Sequence, residues 1–184
     1  MIPQKIISGS YVEEGYSPIP RVFLSDEAYG EGLQCFVPLC TDILPINTER
    51  KTVYLAKRRA KPMAGLWWLG GRMYPDESLA GSAIRCFKRE TGFDITEDRL
   101  IPVGFFEYKW KDRQQIPQTI GCHTASYLFS IALSNEEISA LRLEQNEYAD
   151  TTMTEYDREQ LVQENAHQAI LDAYDAIFNQ SVEK

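Results

Sequence analysis

The spacing of apolar side chains predicts a chain of several strands, a central helix and a helical C-terminus. Four apolar runs are typical of strands, at 34–40, 52–57, 100–110 and 122–133. Apolar positions at helical spacing predict a helix over 78–91, which Gly92 would end as a C-cap residue. A second apolar stripe predicts a terminal helix over 166–177. This order of elements favours a mixed α/β fold in one domain.

The polar and glycine-rich segments between these runs predict the boundaries of the domain. Residues 1–33 contain scattered Gly and Pro without a sustained period, so we interpret them as an N-terminal arm before a domain over 34–184. Residues 44–51, with Pro45 and Asn47, are expected to form a loop between the first two strands. Two short helices are expected late in the chain, over 134–141 capped by Ser134 and over 154–163 capped by Thr154.

The composition indicates which kinds of molecule the protein does not bind. The 184 residues carry a net charge of −8, which disfavours binding to nucleic acid because phosphate neutralisation needs clustered cations. The chain contains no apolar run of the length that a membrane span needs, so we expect a soluble, cytoplasmic protein without a membrane partner. The four cysteines form no C-x-x-C pair and the chain has two histidines, which argues against a zinc site and favours reduced thiols.

One segment reverses the sign of the charge. Residues 57–72 contain five cations and no acid, within a loop rich in glycine and proline. A basic segment in an acidic chain suits a small anionic substrate. The aromatic pair Trp67-Trp68 in this segment is typical either of core packing or of a platform for a nucleotide base.

The segment that follows carries the most specific spacing, Gly71-x5-Glu77-x7-Arg85-x4-Glu90-x-Gly92. Adjacent glycines at 70–71 let the backbone approach an anion or a metal closely. Glu77 and Arg85 are spaced to pair and thereby to join the loop to the helix. A carboxylate and a glycine carbonyl are oxygen ligands of the kind that Mg²⁺ accepts.

This spacing resembles the Nudix box, G-x5-E-x7-R-E-U-x-E-E-x-G-U, in which U is aliphatic. Gly71, Glu77, Arg85, Glu90 and Gly92 match it in register. Cys86 replaces the glutamate after the arginine, and Arg89 replaces the first of the two adjacent glutamates. The GDP-mannose mannosyl hydrolases are a branch of this family that resembles the chain in these two losses. The resemblance implies a Nudix-type α/β/α sandwich with a mixed sheet in a single domain.

For that branch the resemblance implies hydrolysis, dependent on one Mg²⁺, of a GDP-mannose-like nucleotide sugar to a nucleoside diphosphate and the free sugar. It also implies a homodimer. The residue roles implied are diphosphate contacts from Arg58 and Arg72, a substrate contact from His123, metal ligands from the Gly70 carbonyl, Glu90 and Gln145, and a catalytic group of Arg72, Glu77 and Glu90. We add Glu147 to the catalytic group, because a carboxylate in its loop can activate water.

One departure leaves the general base open. Asn146 stands where the branch has a histidine, and an amide cannot take up a proton near neutral pH. Either Glu144 or Glu147 would then activate water. Two other functions stay open: a pyrophosphatase that recruits Glu107, Glu144 or Glu147 to rebuild a metal cluster, and a nucleotide-sugar binding module without catalysis.

Overall fold

The computed structural model describes residues 9–179, which form helices on both faces of one sheet. The strands are β1 (Leu39–Asn47), β2 (Thr52–Arg58), β3 (Gly65–Trp67), β4 (Leu69–Arg72), β5 (Ile101–Trp110), β6 (Cys122–Ala132) and β7 (Thr154–Tyr156). The helices are α1 (Asp26–Cys35), α2 (Leu79–Thr91), α3 (Asn135–Ala140), α4 (Arg158–Gln163) and α5 (Gln168–Phe178). No helix in this described part of the chain is long and apolar enough to cross a membrane.

The seven strands form one mixed sheet. The strand order is β3-β2-β1-β6-β5, with β4 paired to β1 and β7 paired to β2. The β1–β6 ladder is parallel, and the other ladders are antiparallel. The mixed sheet in a single α/β domain, predicted from the sequence, is therefore confirmed.

The core consists of two apolar layers, one on each side of the sheet. One layer joins the sheet to α2 and includes Ile43, Phe87 and Ile131. The other joins the sheet to α5 and includes Leu44 and Ile170. Neighbouring residues of β1 thus contribute to opposite layers, as the alternation of side chains along a strand requires.

The predicted loop over 44–51 is wrong for its first half, because β1 continues to Asn47. Pro45 is tolerated because it lies where β1 changes its antiparallel partner. The β4 ladder ends at Ile43 and the β2 ladder begins at Ile46, so the missing proline N–H removes no bond on that side. The predicted strand over 34–40 is wrong for residues 34–38, because residues 34–35 end α1 and β1 begins only at Leu39.

Two helix predictions also need correction. Residues 26–33 were expected to be irregular but form most of α1, in which the Ser25 side chain accepts a hydrogen bond from the Ala28 N–H. The helix expected from Thr154 begins only at Arg158, since Asp157 is its N-cap. Residues 154–156 instead pair with β2. The predicted central helix is confirmed, and Gly92 ends it in the left-handed conformation with φ 71°.

Candidate active site

A cavity of about 240 Å³ opens on the α5 side of the sheet. Its walls come from the sheet, from α1 and from the loop over 111–117. Aromatic rings form much of the lining, from Tyr29, Trp67, Trp68, Tyr108 and Trp110. The two tryptophans are nearly inaccessible to solvent and belong to the core, so they act as walls more than as free platforms.

Cations dominate the charge of this cavity. Arg58, Lys61, Arg72 and Arg113 line it, against a single carboxylate among the described lining residues, that of Asp42. Lys61 is paired with Asp112 at 3.3 Å. Arg113 is fully buried and donates to the carbonyls of residues 115–117, and no carboxylate in the described part of the chain pairs with it. A buried guanidinium without a counter-charge favours an anionic ligand, because burial of an unpaired charge is costly.

The Asp42 carboxylate lies beneath the glycine pair. Its Oδ2 atom accepts hydrogen bonds from Trp68 Nε1 at 3.0 Å and from Ser126 Oγ at 2.5 Å. A Cβ atom at Gly70 would lie 2.1 Å from Asp42 Oδ1 and 2.5 Å from the Thr41 carbonyl oxygen. Gly70 is therefore required by the close approach of β4 to β1.

Glu77 and Arg85 join the loop of the box to its helix, as their spacing predicts. The Arg85 guanidinium is ion-paired with Glu77, and Arg85 Nη2 also donates to the Arg72 carbonyl at 2.9 Å. The Tyr74 N–H donates to Glu77 Oε2 at 2.8 Å. Partial burial opposes ionisation of Glu77, but the hydrogen bonds from Arg85 and Tyr74 outweigh it and lower the Glu77 pKa. These contacts give Glu77 a positioning role for the backbone that carries Arg72.

Glu90 is the most enclosed charged residue of the box, with 1% of its surface exposed. Oε2 accepts hydrogen bonds from the Gly70 N–H at 3.1 Å and from the Tyr148 hydroxyl at 2.5 Å. Oε1 is ion-paired with the Arg89 guanidinium. Burial raises the Glu90 pKa to about 7, although the Tyr148 hydrogen bond and the charge of Arg89 oppose the rise.

The loop over 141–150 is hydrogen-bonded both to α2, the helix of the Nudix box, and to β2. The Glu144 N–H donates to the Glu90 carbonyl at 3.0 Å, and the Ala149 N–H donates to the Lys57 carbonyl at 2.7 Å. This brings the Glu147 carboxylate to Arg58, at 2.5 Å from Nη2 and 2.8 Å from Nε. Gln145 lies in the same loop with its side chain exposed.

The structure separates His123 from this group. Cys122, Thr124 and Ser126 line the cavity, so alternation along β6 turns the side chain of His123 to the other face of the sheet. There its Nε2 atom lies 3.6 Å from Glu107 Oε1. A substrate contact from His123 therefore has no geometric support in this arrangement.

Nudix hydrolases generally use a divalent metal such as Mg²⁺, and the described residues do not fit that ion in the predicted way. The Gly70 carbonyl and the Glu90 carboxylate, two of the three predicted ligands, are both in contact with Arg89 Nη2. No group of three or more His, Cys, Asp or Glu side chains within residues 9–179 is arranged to hold a metal ion. The position is already occupied by a cation of the protein itself.

A second, outer cavity of about 670 Å³ adjoins the first. Tyr29, Arg72 and Gln115 line both cavities, and Arg21 and Arg89 line the outer one. The Arg72 guanidinium lies over the Tyr29 ring at 4.1 Å from its centroid. Arg72 is thus held between two openings, where it can contact an extended anion.

Sequence reasoning missed several residues of this site. Arg113 gave no signal because it lies in a polar turn, and Tyr148 gave none because it lies in an irregular loop. Asp42 carried a weak signal, an acid beside an otherwise apolar strand. Tyr29 was missed together with α1, which brings it to the cavity wall.

Solved structures share this fold at low sequence identity. The MutT NUDIX hydrolase from Burkholderia pseudomallei has a TM-score of 0.58 at 14% identity, over 77% of this chain and 98% of that one. The MutT protein from Methanosarcina mazei Go1 has a TM-score of 0.57 at 18% identity, over 80% and 96%. The E. coli dihydroneopterin triphosphate pyrophosphohydrolase has a TM-score of 0.54 at 14% identity, over 78% and 97%.

These identities establish the common fold alone. No curated protein matches the chain at a significant level. The model of the NUDIX domain, however, matches residues 38–174, which include all seven strands of the described residues and α2. The chain therefore belongs to the NUDIX domain family.

Proposed function

We propose that this protein hydrolyses a nucleoside diphosphate sugar to the nucleoside diphosphate and the free sugar. Membership in the NUDIX family supports a hydrolase activity. The observation that carries the choice of substrate is the cavity, which combines aromatic walls with four cations, one of them the buried Arg113, which has no carboxylate partner among residues 9–179. Aromatic walls suit a base or a sugar, and paired guanidinium groups suit a diphosphate.

Arg58 and Arg72 are the proposed diphosphate contacts. Both line the inner cavity, and each is held by a neighbour, Arg58 by Glu147 and Arg72 by stacking on Tyr29. Guanidinium groups fixed before the reaction stabilise the charge that develops on a departing diphosphate.

Glu147 is the proposed general base. Of the two carboxylates that the sequence leaves open as the base, Glu147 is the one ion-paired with a cavity-lining residue, Arg58. Glu144 instead accepts hydrogen bonds from the backbone and side chain of Asn146. In the proposed step Glu147 takes a proton from water as the water oxygen bonds to the anomeric carbon. The bond from that carbon to the diphosphate oxygen breaks, and the diphosphate leaves with the electron pair.

Attack at phosphorus is less well supported, because it would need the rebuilt metal cluster that residues 9–179 do not contain. A binding module is the second candidate, and one observation favours it. Both oxygens of Glu90 are engaged by protein groups, so this carboxylate is not free for a metal ion or for water.

The test is incubation with GDP-mannose in ¹⁸O-labelled water, with and without Mg²⁺, followed by phosphorus NMR of the nucleotide and mass spectrometry of the sugar. We expect GDP, and mannose that carries the label, because attack at carbon leaves every phosphate oxygen unlabelled. GMP with labelled phosphate would identify a pyrophosphatase. Saturable GDP binding without turnover would identify a binding module.

Matched variants test the proposed base. Glu147→Gln should lower kcat strongly, because the amide takes up no proton. It should not weaken GDP binding, because the amide oxygen can still accept a hydrogen bond from Arg58 and no positive charge is lost. Glu144→Gln, two positions before Asn146, is the control and should leave kcat near that of the wild type. Equal losses in both variants would contradict the role of Glu147.

Resemblance to the mannosyl hydrolases also leads us to propose a homodimer in the cytoplasm. Exposed apolar side chains in the arm support the dimer, because burial against a second copy would remove them from water. These are Tyr11, Val12, Val22 and Phe23.

A further inference from the structure

The contacts of Arg89 are unusual for the position it occupies in the box. One atom, Nη2, donates to the Gly70 carbonyl at 3.3 Å and is ion-paired with Glu90 Oε1. Those two oxygens come from different elements, β4 and the C-terminal turn of α2. A single guanidinium therefore links the glycine loop to the helix, which is the task that a cation bound between these oxygens would perform.

The remaining oxygen of Glu90 is also engaged. Oε2 accepts from the Gly70 N–H and from the Tyr148 hydroxyl, and the residue is almost inaccessible to solvent. A metal ion entering here would have to displace Arg89 from Glu90 and would then lie beside its positive charge. Since both effects oppose binding, the site disfavours a second cation.

The outward side of Arg89 has a different environment. The side chain is 46% exposed and lines the outer cavity together with Arg72 and Arg21. Only Nη2 makes hydrogen bonds within residues 9–179, so the other N–H groups of the guanidinium have no partner in that part of the chain. Free guanidinium donors beside Arg72 fit the oxygens of a phosphate.

We propose that Arg89 takes the place of a divalent metal ion in this protein. It neutralises Glu90, joins the Gly70 carbonyl to α2 and offers its remaining N–H groups to a phosphate of the ligand, so that the ligand binds without added metal. The exclusion of metal depends only on these contacts, whereas the phosphate contact rests on the proposed function.

The test of metal exclusion is titration of the protein with Mn²⁺ alone, followed by calorimetry and by the EPR signal of free Mn²⁺. The wild type should show no saturable site at millimolar Mn²⁺. Arg89→Glu should create a saturable site, because it replaces the cation by a third oxygen ligand. Its Mn²⁺ affinity should exceed any residual wild-type affinity at least about tenfold. Arg89→Lys, which keeps the charge, should behave as the wild type.

Lys88→Glu is the matched control. It makes the same change of charge one residue earlier, where Lys88 is exposed and paired with Asp94 at 2.7 Å. This variant should not acquire the site. A tight Mn²⁺ site in the wild type, or equal gains in Arg89→Glu and Lys88→Glu, would overturn the proposal. Circular dichroism of each variant checks that it is folded.

A second measurement addresses the phosphate contact. GDP affinity of the wild type should be the same in EDTA and in Mg²⁺, while Arg89→Glu should bind GDP weakly in EDTA and recover in Mg²⁺. A wild type that binds GDP only with Mg²⁺ would contradict the proposal. If GDP binds under neither condition, the proposed function fails, and the Mn²⁺ titration alone decides the exclusion of metal.

Discussion

Among the described residues that line the inner cavity, Asp42 provides the single carboxylate, surrounded by cations and aromatic rings. Burial raises its pKa from the ordinary value of 3.8 to about 6, although hydrogen bonds from Ser126 and Trp68 limit the rise. The folded state therefore holds a proton on Asp42 at a pH where the unfolded chain has lost it. Stability from this group is complete below about pH 4 and is lost as the pH rises through 6.

We expect Asp42→Asn to flatten the pH dependence of the free energy of unfolding between about pH 4 and pH 7. The pH-dependent decrease in the free energy of unfolding that this substitution removes is at most about 3 kcal/mol, since one pKa unit corresponds to about 1.4 kcal/mol. Glu90, whose pKa is raised to about 7, acts in the same direction, so part of the dependence should persist. Urea unfolding at a series of pH values measures this.

Ser126→Ala is the companion variant. It removes a hydrogen bond that favours the ionised form of Asp42, so it should raise the Asp42 pKa further and extend the loss of stability to higher pH. If the free energies of unfolding of Asp42→Asn and of the wild type differ by the same amount at every pH, Asp42 is not responsible for the pH dependence.

At the scale of elements, α1 shows how one glycine decides the packing of a helix. A Cβ atom at Gly30 would lie 2.0 Å from the Ile116 carbonyl oxygen, so this residue lets α1 lie directly on the loop over 111–117. Gly32, one half-turn on, has no heavy atom within 4 Å of a Cβ placed there. The two glycines share a helix but differ in what surrounds them.

Gly30→Ala should destabilise the protein by about 1–3 kcal/mol, the usual cost of overpacking, and should weaken GDP binding because α1 carries Tyr29 to the cavity. Gly32→Ala should be neutral or stabilising by up to about 1 kcal/mol, since alanine favours the helix. Thermal unfolding and GDP titration measure both effects. Similar losses in the two variants would mean that α1 is not packed as described.

Elements with strong local signals were predictable from the sequence, and elements that depend on strand pairing were not. The helix α2 was predictable because its apolar period, the Ser78 cap and the Gly92 terminus are all local signals. The short strands β3 and β4 were not, since their residues read as a glycine-rich loop and become strands only by pairing with β2 and β1. Strand pairing depends on distant residues, so short strands carry little information of their own.

For the whole molecule, the charges are divided between surface and cavity. The net charge of −8 should repel an anion, yet Arg58, Lys61, Arg72 and Arg113 surround the inner cavity. Attraction must therefore come from these local cations, and added salt screens it.

The affinity for GDP should fall several-fold between about 0.05 and about 0.5 M KCl, because the Debye length shortens over that range. Guanosine, which lacks the phosphates, should show little change. Arg72→Gln should reduce the salt dependence. The control is Arg59→Gln, since Arg59 does not line either cavity and donates to the Ala149 carbonyl at 3.2 Å. Salt dependence that is equal for GDP and guanosine would exclude an electrostatic origin.

The sequence by itself determined the class of fold, the helix of the box and its Gly92 terminus, the Glu77–Arg85 pair and the basic segment at the site. Each of these depends on local spacing, because the helix period, the helix terminus, the ion pair and the run of cations all involve residues close in the chain. The tertiary structure decided what the box does. In the sequence, Arg89 indicated only the loss of a glutamate from the box. The approach of β4 to the end of α2 places its guanidinium between the Gly70 carbonyl and Glu90. The buried charge of Arg113 and the hydroxyl of Tyr148 likewise entered the site through contacts between distant segments, which no local pattern records.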